Sequence, residues 1–357
     1  MDPAADPSSP GPRRATIEDV AVAAGVSVAT VSRALRGLPH VAPATRQRVV
    51  QVATELAYRP DPAAARLATG RSQAVALAVP VLNSWYISQV ESGAEAVCSA
   101  DGYDLIIMGV TGEPARRSLL AEESSLHRRV DGVVFIDIAV DDDDVARLAE
   151  RGLAVVTLGN VTATCPSVTI DEDEVARLAT EHLLSLGHRR IGLLGGQRDD
   201  PLGFSVPRRR RAGHHATLER AGVEIDPDLE GIGNFSVMGG RDAMAGLLQL
   251  PDPPTAVFAM SDEMAFGAML AARERGLDIP RDVSVVGVDD HDLSIVVGLT
   301  TVQQPVADIG SRAARLLLDQ ITGAAATPAH IRSPVSLVVR ATTSAPLPRR
   351  QETAEKP

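Results

Sequence analysis

Residues 15–35 read ATIEDVAVAAGVSVATVSRAL, and their order of caps, apolar positions and stops decides how the N-terminus folds. Thr16 can cap a helix whose first turn carries Glu18 and Asp19, the acidic residues a helix N-terminus favours. Val20, Ala21 and Ala24 then form an apolar stripe, and Gly25 supplies a stop. Ser27 is a second N-cap, opening a segment that runs from Val28 to Leu35 before Gly37 ends it. Two short helices joined by a Gly-containing turn of about four residues predict a helix-turn-helix. A third helix is expected from Pro43, a favourable first helical position, to about Ala57, with Val49, Val52, Ala53 and Leu56 facing inward.

The second helix carries groove-reading chemistry. Val31, Ala34 and Leu35 can pack on the first helix, leaving Val28, Ala29, Thr30, Ser32 and Arg33 outward and mostly small. Arg33 can make a bidentate contact to guanine, Val28 and Ala29 can touch a thymine methyl, and Thr30 and Ser32 can bond phosphates. The alternative is an ordinary helical hairpin with a solvated polar face. Charge distribution bears on the choice. The whole chain is at −11, yet residues 13–71 hold nine Arg against four acidic residues. A basic N-terminus on an acidic body puts positive charge only where phosphates would lie.

Taken together, Ala15 to Ala21, Ala24 to Ser27, Ala29 to Arg33, His40-Val41, Thr45-Arg46 and Leu56 to Tyr58 with Pro60 behind resemble the headpiece of the LacI/GalR repressor family. The resemblance implies that Val28, Ala29 and Arg33 read bases, with Thr16, Ser27, Thr30, Ser32 and His40 near the DNA backbone. Two departures are an Arg at position 36, where Asn is common, and Ala42 in place of a Ser cap. Residues 60–72, including Ala64 and Leu67, resemble the family's hinge helix, which orders only on specific DNA. Physically the segment is short, Ala-rich and marginal as an isolated helix. Leu67 fits an apolar wedge for the minor groove, the alternative being a linker whose Leu packs on the next domain.

From Val75 the pattern changes to short buried runs of strand length separated by helical stretches. Val75–Val79, Leu105–Met108, Val133–Ile136 and Ala154–Leu158 form one series; Ile191–Leu194, Ala256–Ala259 and Val283–Val288 form a second. Such alternation predicts parallel α/β sheets in two sequential subdomains. The late strand Thr301-Val302 and the helix after it are expected to return to the first subdomain, and Val335–Val339 to the second. With aromatics at 3%, the cores must be built of Ala, Val, Leu and Ile. Cys98 and Cys165 lie far from other metal ligands and read as buried thiols, with one disulfide left open. The first residues lack the apolar core of a signal peptide, and no run is long enough to span a membrane, so a cytoplasmic protein is expected.

The resemblance continues through Thr180 to Ile191, Pro254 to Phe258, Asp262 to Ala265, Asp282 to Gly287 and Leu299 to Val302. It implies an α/β periplasmic-binding-protein-like effector domain over residues 73–343, after a tail (1–14), a headpiece (15–59) and a hinge (60–72), and before a disordered tail (344–357). It also implies a ligand between the subdomains, at the carboxyl ends of the strands. Family ligand positions fall on Asp171, Arg210, Phe235, Ser261 and Asp289, and Tyr86 takes the first place of an aromatic pair. Ile87 replaces the second aromatic, and Ser84-Trp85 replaces the usual Asn-Pro. Read alone, Arg208–Arg211 could be a solvated surface, Asp289-Asp290 turn formers and Phe235 core. Asp141–Asp144 reads as a helix start, and the adjacent His214-His215 would diverge on a helix, which argues against a metal site.

An enzyme is the first rival class, but no Gly-rich phosphate loop, nucleophile elbow or HExxH is present. An exported transport-binding protein is the second, and it would carry an export signal rather than a headpiece. The expectation is a repressor that binds operator DNA as a homodimer, controlled by a small molecule, sugar before nucleoside, with no cofactor.

Overall fold

A computed structural model describes residues 15–35, 39–58, 71–197, 199–324 and 329–347. The chain divides between Arg71 and Ser72 into two compact units. In the first, α1 (Ile17–Ala24), α2 (Val28–Leu35) and α3 (Pro43–Glu55) enclose a small core of Val20, Ala24, Val31, Ala34, Val49 and Ala53. Thr16 and Asp19 close a full capping box on α1: Thr16 N donates to Asp19 Oδ2 at 2.8 Å and Asp19 N to Thr16 Oγ1 at 3.3 Å. Gly25 ends α1 in the left-handed region, at φ 64°. Ala42 gives α3 no side-chain cap, and Pro43 starts it instead. Leu56, expected inward, stays 39% exposed, because α3 stops at Glu55 and the chain turns at Ala57, φ 49°.

The second unit is two α/β lobes. Its elements run β1 (Ala74–Val79), α4 (Trp85–Ala100), β2 (Asp104–Gly109), α5 (Gly112–Leu120), β3 (Gly132–Ile136), α6 (Asp142–Glu150), β4 (Ala154–Leu158), β5 (Ser167–Thr169), α7 (Glu172–Ser185) and β6 (Ile191–Gly195). Then come α8 (Val206–Arg220), β7 (Glu230–Ile232), α9 (Val237–Leu247), β8 (Ala256–Ala259), α10 (Asp262–Glu274), β9 (Ser284–Asp289), α11 (Ser294–Val297), β10 (Thr300–Gln303), α12 (Val306–Thr322), β11 (His330–Arg332) and β12 (Ser336–Val338). One sheet has the order β11-β5-β4-β3-β1-β2, all parallel; the other has β12-β10-β9-β8-β6-β7, parallel except for β12 on β10. The strands β1, β3 and β8 are buried along their whole length, which is why they read as unbroken apolar runs.

The late strand corrects one expectation. β10, with Thr301-Val302, pairs with β9 in the second sheet, and only α12 and β11 return to the first lobe. Thr301 has a polar reason to stay, because its hydroxyl donates to the buried Asp262 Oδ1 at 2.7 Å. β12, at Ser336–Val338, joins the second sheet as expected. The polypeptide therefore passes between the lobes three times, after β5, β10 and β11. In the first lobe α12 lies on α4 at very short range: a Cβ on Gly310 would stand 2.2 Å from Val90 O, and one on Gly93 would stand 1.9 Å from Ala307 O. Only glycine fits at either contact.

Cys98 and Cys165 are free, buried thiols in different clusters of the core, which settles the open pairing. Asp141 and Asp144 form a capping box on α6, as a helix start should. Ser344, expected to open a disordered tail, is held in place: its N donates to Ser284 Oγ at 3.0 Å, and its carbonyl accepts from His188 Nε2 at 2.8 Å. Among the described residues no helix is long and apolar enough to cross a membrane.

Candidate functional site

Two sites come out of this architecture, one in each unit. On the first unit, burying Val31 and Ala34 under α2 turns Val28, Ala29 and Arg33 to solvent. Ser27 caps α2, its Oγ accepting from Thr30 N at 3.2 Å and lying 2.9 Å from Thr30 Oγ1. The hydroxyls of Thr16, Ser27 and Thr30 are thus already tied into helix ends, while Ser32 is half-buried. His40 is exposed at the mouth of α3 with φ 70°. A helix with small side chains and one guanidinium outward can approach a major groove closely. Ala64 and Leu67 lie outside the described residues.

On the second unit, a cleft between the lobes collects the carboxyl ends of the parallel strands. Five of the six residues expected there line it: Tyr86, Arg210, Phe235, Ser261 and Asp289. The sixth does not. Asp171 accepts from Glu174 N at 3.2 Å as the N-cap of α7, and it pairs with Arg332 of β11 at 3.2 Å. Its neighbour Glu172 points into the cleft instead, buried, with Oε2 2.6 Å from Arg210 Nε. Capping geometry separates the two, because the N-cap side chain must fold back on the helix's own N–H groups and the next residue faces elsewhere.

Arg210 is 4% exposed, so the Arg208–Arg211 run is not merely a solvated surface. It also donates through Nη1 to Met260 O, while Arg209 and Arg211 pair outward with Asp173 and Glu230. Asp289, the last residue of β9, is no turn former: it is 7% exposed and accepts from Gln304 Nε2 at 2.6 Å. Burial, and after it the charge of Asp262, raises the Asp289 carboxyl well above its ordinary range, with Arg210 opposing. Asp290 points elsewhere and pairs with Arg340 at 2.6 Å. Ser261 caps α10, its Oγ accepting from Met264 N at 3.2 Å.

Among the cleft residues that went unforeseen are Asp137, Glu172, Phe204 and Gln304. Asp137 follows the buried strand β3 as Asp289 ends β9, so the same signal, an acid closing an unbroken apolar run, was there to be read. Burial, then the charge of Glu172, pushes its carboxyl up to about 7. Tyr86 stays protonated, since burial and the carboxylates of Asp137, Glu172 and Asp289 raise its hydroxyl further. Phe235 lines the cleft and meets Phe204 edge-to-face at 5.3 Å. Asp137, Asn234, Phe235 and Asp289 all hold positive φ, at 54°, 47°, 53° and 119°. Backbone strain at four positions around one cleft marks it as a place where side-chain direction outweighs local stability.

Next to the cleft residue Tyr86 in sequence, Trp85, the chain's one tryptophan, joins the two lobes. Its ring stacks on His291 at 4.8 Å and its Nε1 donates to Asp292 Oδ2 at 3.3 Å. Phe266 meets His291 edge-on at 5.3 Å. Ile87, which stands where an aromatic was looked for, is core. His214 and His215 do diverge, to Thr180 and to Glu230, and burial lowers His214 to about 3.

With these geometries in hand, comparison with known proteins is direct. Residues 16–61 match the bacterial regulatory proteins of the lacI family, and residues 180–343 match the periplasmic binding protein-like domain. The chain is 35% identical over 315 residues to the HTH-type transcriptional repressor CytR of Escherichia coli K12, covering 87% of this chain and 90% of that one. Among solved structures, the lac repressor dimer bound to operator and the anti-inducer ONPF is similar with a TM-score of 0.80 at 32% identity, covering 93% of this chain and 100% of that one. A complex of the transcriptional regulator CelR with cellobiose is similar with a TM-score of 0.66 at 32% identity, over 92% and 100% of the two chains.

Proposed function

Because this chain belongs to the lacI family of bacterial regulatory proteins, we propose that it represses transcription as a homodimer on a pseudo-palindromic operator, controlled by a sugar or sugar derivative in its cleft. Membership makes it a DNA-binding transcriptional regulator with a ligand-binding effector domain. The observation that carries the finer reading is the α2 surface, where Val28, Ala29 and Arg33 face solvent beside a capped N-terminus. Arg33 takes a guanine and Val28 and Ala29 take thymine methyls, while Thr16, Ser27, Thr30, Ser32 and His40 set the height of the helix over the phosphates. Two such headpieces related by a two-fold axis require two half-sites in inverted order. Ala64 and Leu67 form the hinge, with the two Leu67 side chains entering the minor groove at the operator centre.

The cleft supports the sugar. A guanidinium, several carboxyl groups and aromatic walls suit a ring that carries hydroxyls on its edge and C–H groups on its faces. Ligand changes the angle between the lobes, which displaces the hinge and alters operator affinity, a coupling of typically 1–3 kcal/mol. The site of action is the cytoplasm, where chromosomal DNA lies.

Selection of genomic fragments by the purified protein, at stated salt, tests the regulator reading. Enrichment of a pseudo-palindrome is the expected result; no enrichment, with or without added cell extract, overturns it. Deleting residues 1–71 should remove DNA binding and leave ligand binding intact. Operator affinity unchanged in Leu67→Ala would sink the wedge.

A further inference from the structure

The cleft holds more acid than base. Asp137, Glu172 and Asp289 are each more than nine-tenths buried around it, against Arg210 alone. Arg210 is already committed, with Nε on Glu172 at 2.6 Å and Nη1 on the carbonyl of Met260. Asp289 has a neutral donor in Gln304. Asp137 has none: among the described residues no hydrogen bond reaches its carboxyl, which is 8% exposed and turned toward the cleft. One of its oxygens lies so close to Gly159, φ 87°, that a Cβ there would stand 2.2 Å from Oδ1. The position therefore keeps a carboxylate against bare backbone, with no partner of its own.

The uncharged walls point the same way. Phe204, Phe235 and the un-ionised Tyr86 line the cleft, and the face of an aromatic ring attracts a cation. A neutral polyol can give Asp137 a hydroxyl donor but adds no positive charge to a cleft where three buried acids face the single guanidinium of Arg210. An ammonium group supplies three donors and the missing charge together. We propose that the effector of this protein is a sugar bearing a protonated amino group, with the ammonium seated on Asp137 beside the aromatic walls of the cleft. This rests on the reading of the cleft as the effector site, and it narrows the class of ligand.

The test uses matched sugars on the full chain, followed by calorimetry at neutral pH. Glucose, glucosamine and N-acetylglucosamine form one series, and the galactose and mannose counterparts form two more. At least one amine should bind roughly tenfold or more tightly than its neutral parent, with the N-acetyl form, which keeps the nitrogen and loses the charge, no better than the parent. In Asp137→Asn that preference should fall to about threefold or less, since the amide keeps the shape and removes the charge. Asn tolerates the positive φ of this position, and the sugar series in the unaltered protein needs no variant at all. A parent or N-acetyl sugar that binds as well as its amine overturns the proposal, and so does silence across all three series. Neither result touches the regulator reading, which is decided by operator selection without effector.

Discussion

Replacing Asp137 by Asn should stabilise the effector unit strongly in mild alkali and far less in acid. Burial, first, and the charge of Glu172 raise this carboxyl from 3.8 to about 7 in the folded protein. Between those values the folded chain binds more protons than the unfolded one, so the stability this residue allows is greatest below 3.8 and is lost as pH rises through about 7. The full rise corresponds to roughly 4 kcal/mol at about pH 8, shrinking to roughly 1 kcal/mol at about pH 4.5. Asn has the same shape, no charge, and no difficulty with φ 54°. At roughly 2 °C per kcal/mol for a unit of this size, the unfolding midpoint should rise by about 6–8 °C at the higher pH and about 2 °C at the lower. Trp85 lies in the effector unit and is the only tryptophan, so its emission during heating reports this unit alone. A gain that is equal at both pH values, or a lower midpoint in alkali, would refute the picture of a carboxylate that burial and Glu172 disfavour.

Other perturbations separate the remaining features. Arg210→Met should abolish effector binding and destabilise the unit by about 3–5 kcal/mol in thermal unfolding, because Glu172 is left buried without a cation; adding Glu172→Gln should restore much of that loss. Thr16→Ala should cost the headpiece about 1 kcal/mol, measured as faster amide exchange in α1, since one side of its capping box goes. Arg33→Ala should weaken operator binding by roughly 1–3 kcal/mol and relax base preference at one position per half-site, read by fragment selection. Trp85→Ala removes a stack of about 1 kcal/mol between the lobes and should loosen effector binding roughly three- to tenfold, mainly through faster release in stopped-flow.

How far the sequence could be read depended on how locally each feature is encoded. Caps and stops within a few residues placed α1 and α2 almost to the residue, and strands buried on both faces announced themselves as apolar runs. The three-residue strands β5, β7 and β11 carry no such run, and they exist because a neighbouring strand offers its free edge. The Gly-rich α9 defied helix propensity for a tertiary reason: a Cβ on Gly240 would stand 2.4 Å from Met264 O, so the glycine is there for close packing on α10. In the cleft, Arg210 and Asp289 were found through family resemblance, while the choice between Asp171 and Glu172 turned on a cap that spacing cannot resolve. Gln304 lies in a connection between lobes, where neither periodicity nor strand ends give a signal.

The return of α12 and β11 to the first lobe also bears on synthesis at the ribosome. Strands β1 to β5 are complete once Thr169 has emerged, yet the helix that covers α4 ends only at Thr322, beyond five of the six strands of the second sheet. At ordinary elongation rates that is a wait of roughly 10–30 s. Through that interval Val90, Gly93 and the inner faces of β3 and β4 lack their final cover, while the small headpiece ahead of them already has its entire core. Nascent chains should therefore present a finished DNA-reading module attached to an effector lobe that still needs a chaperone's shelter.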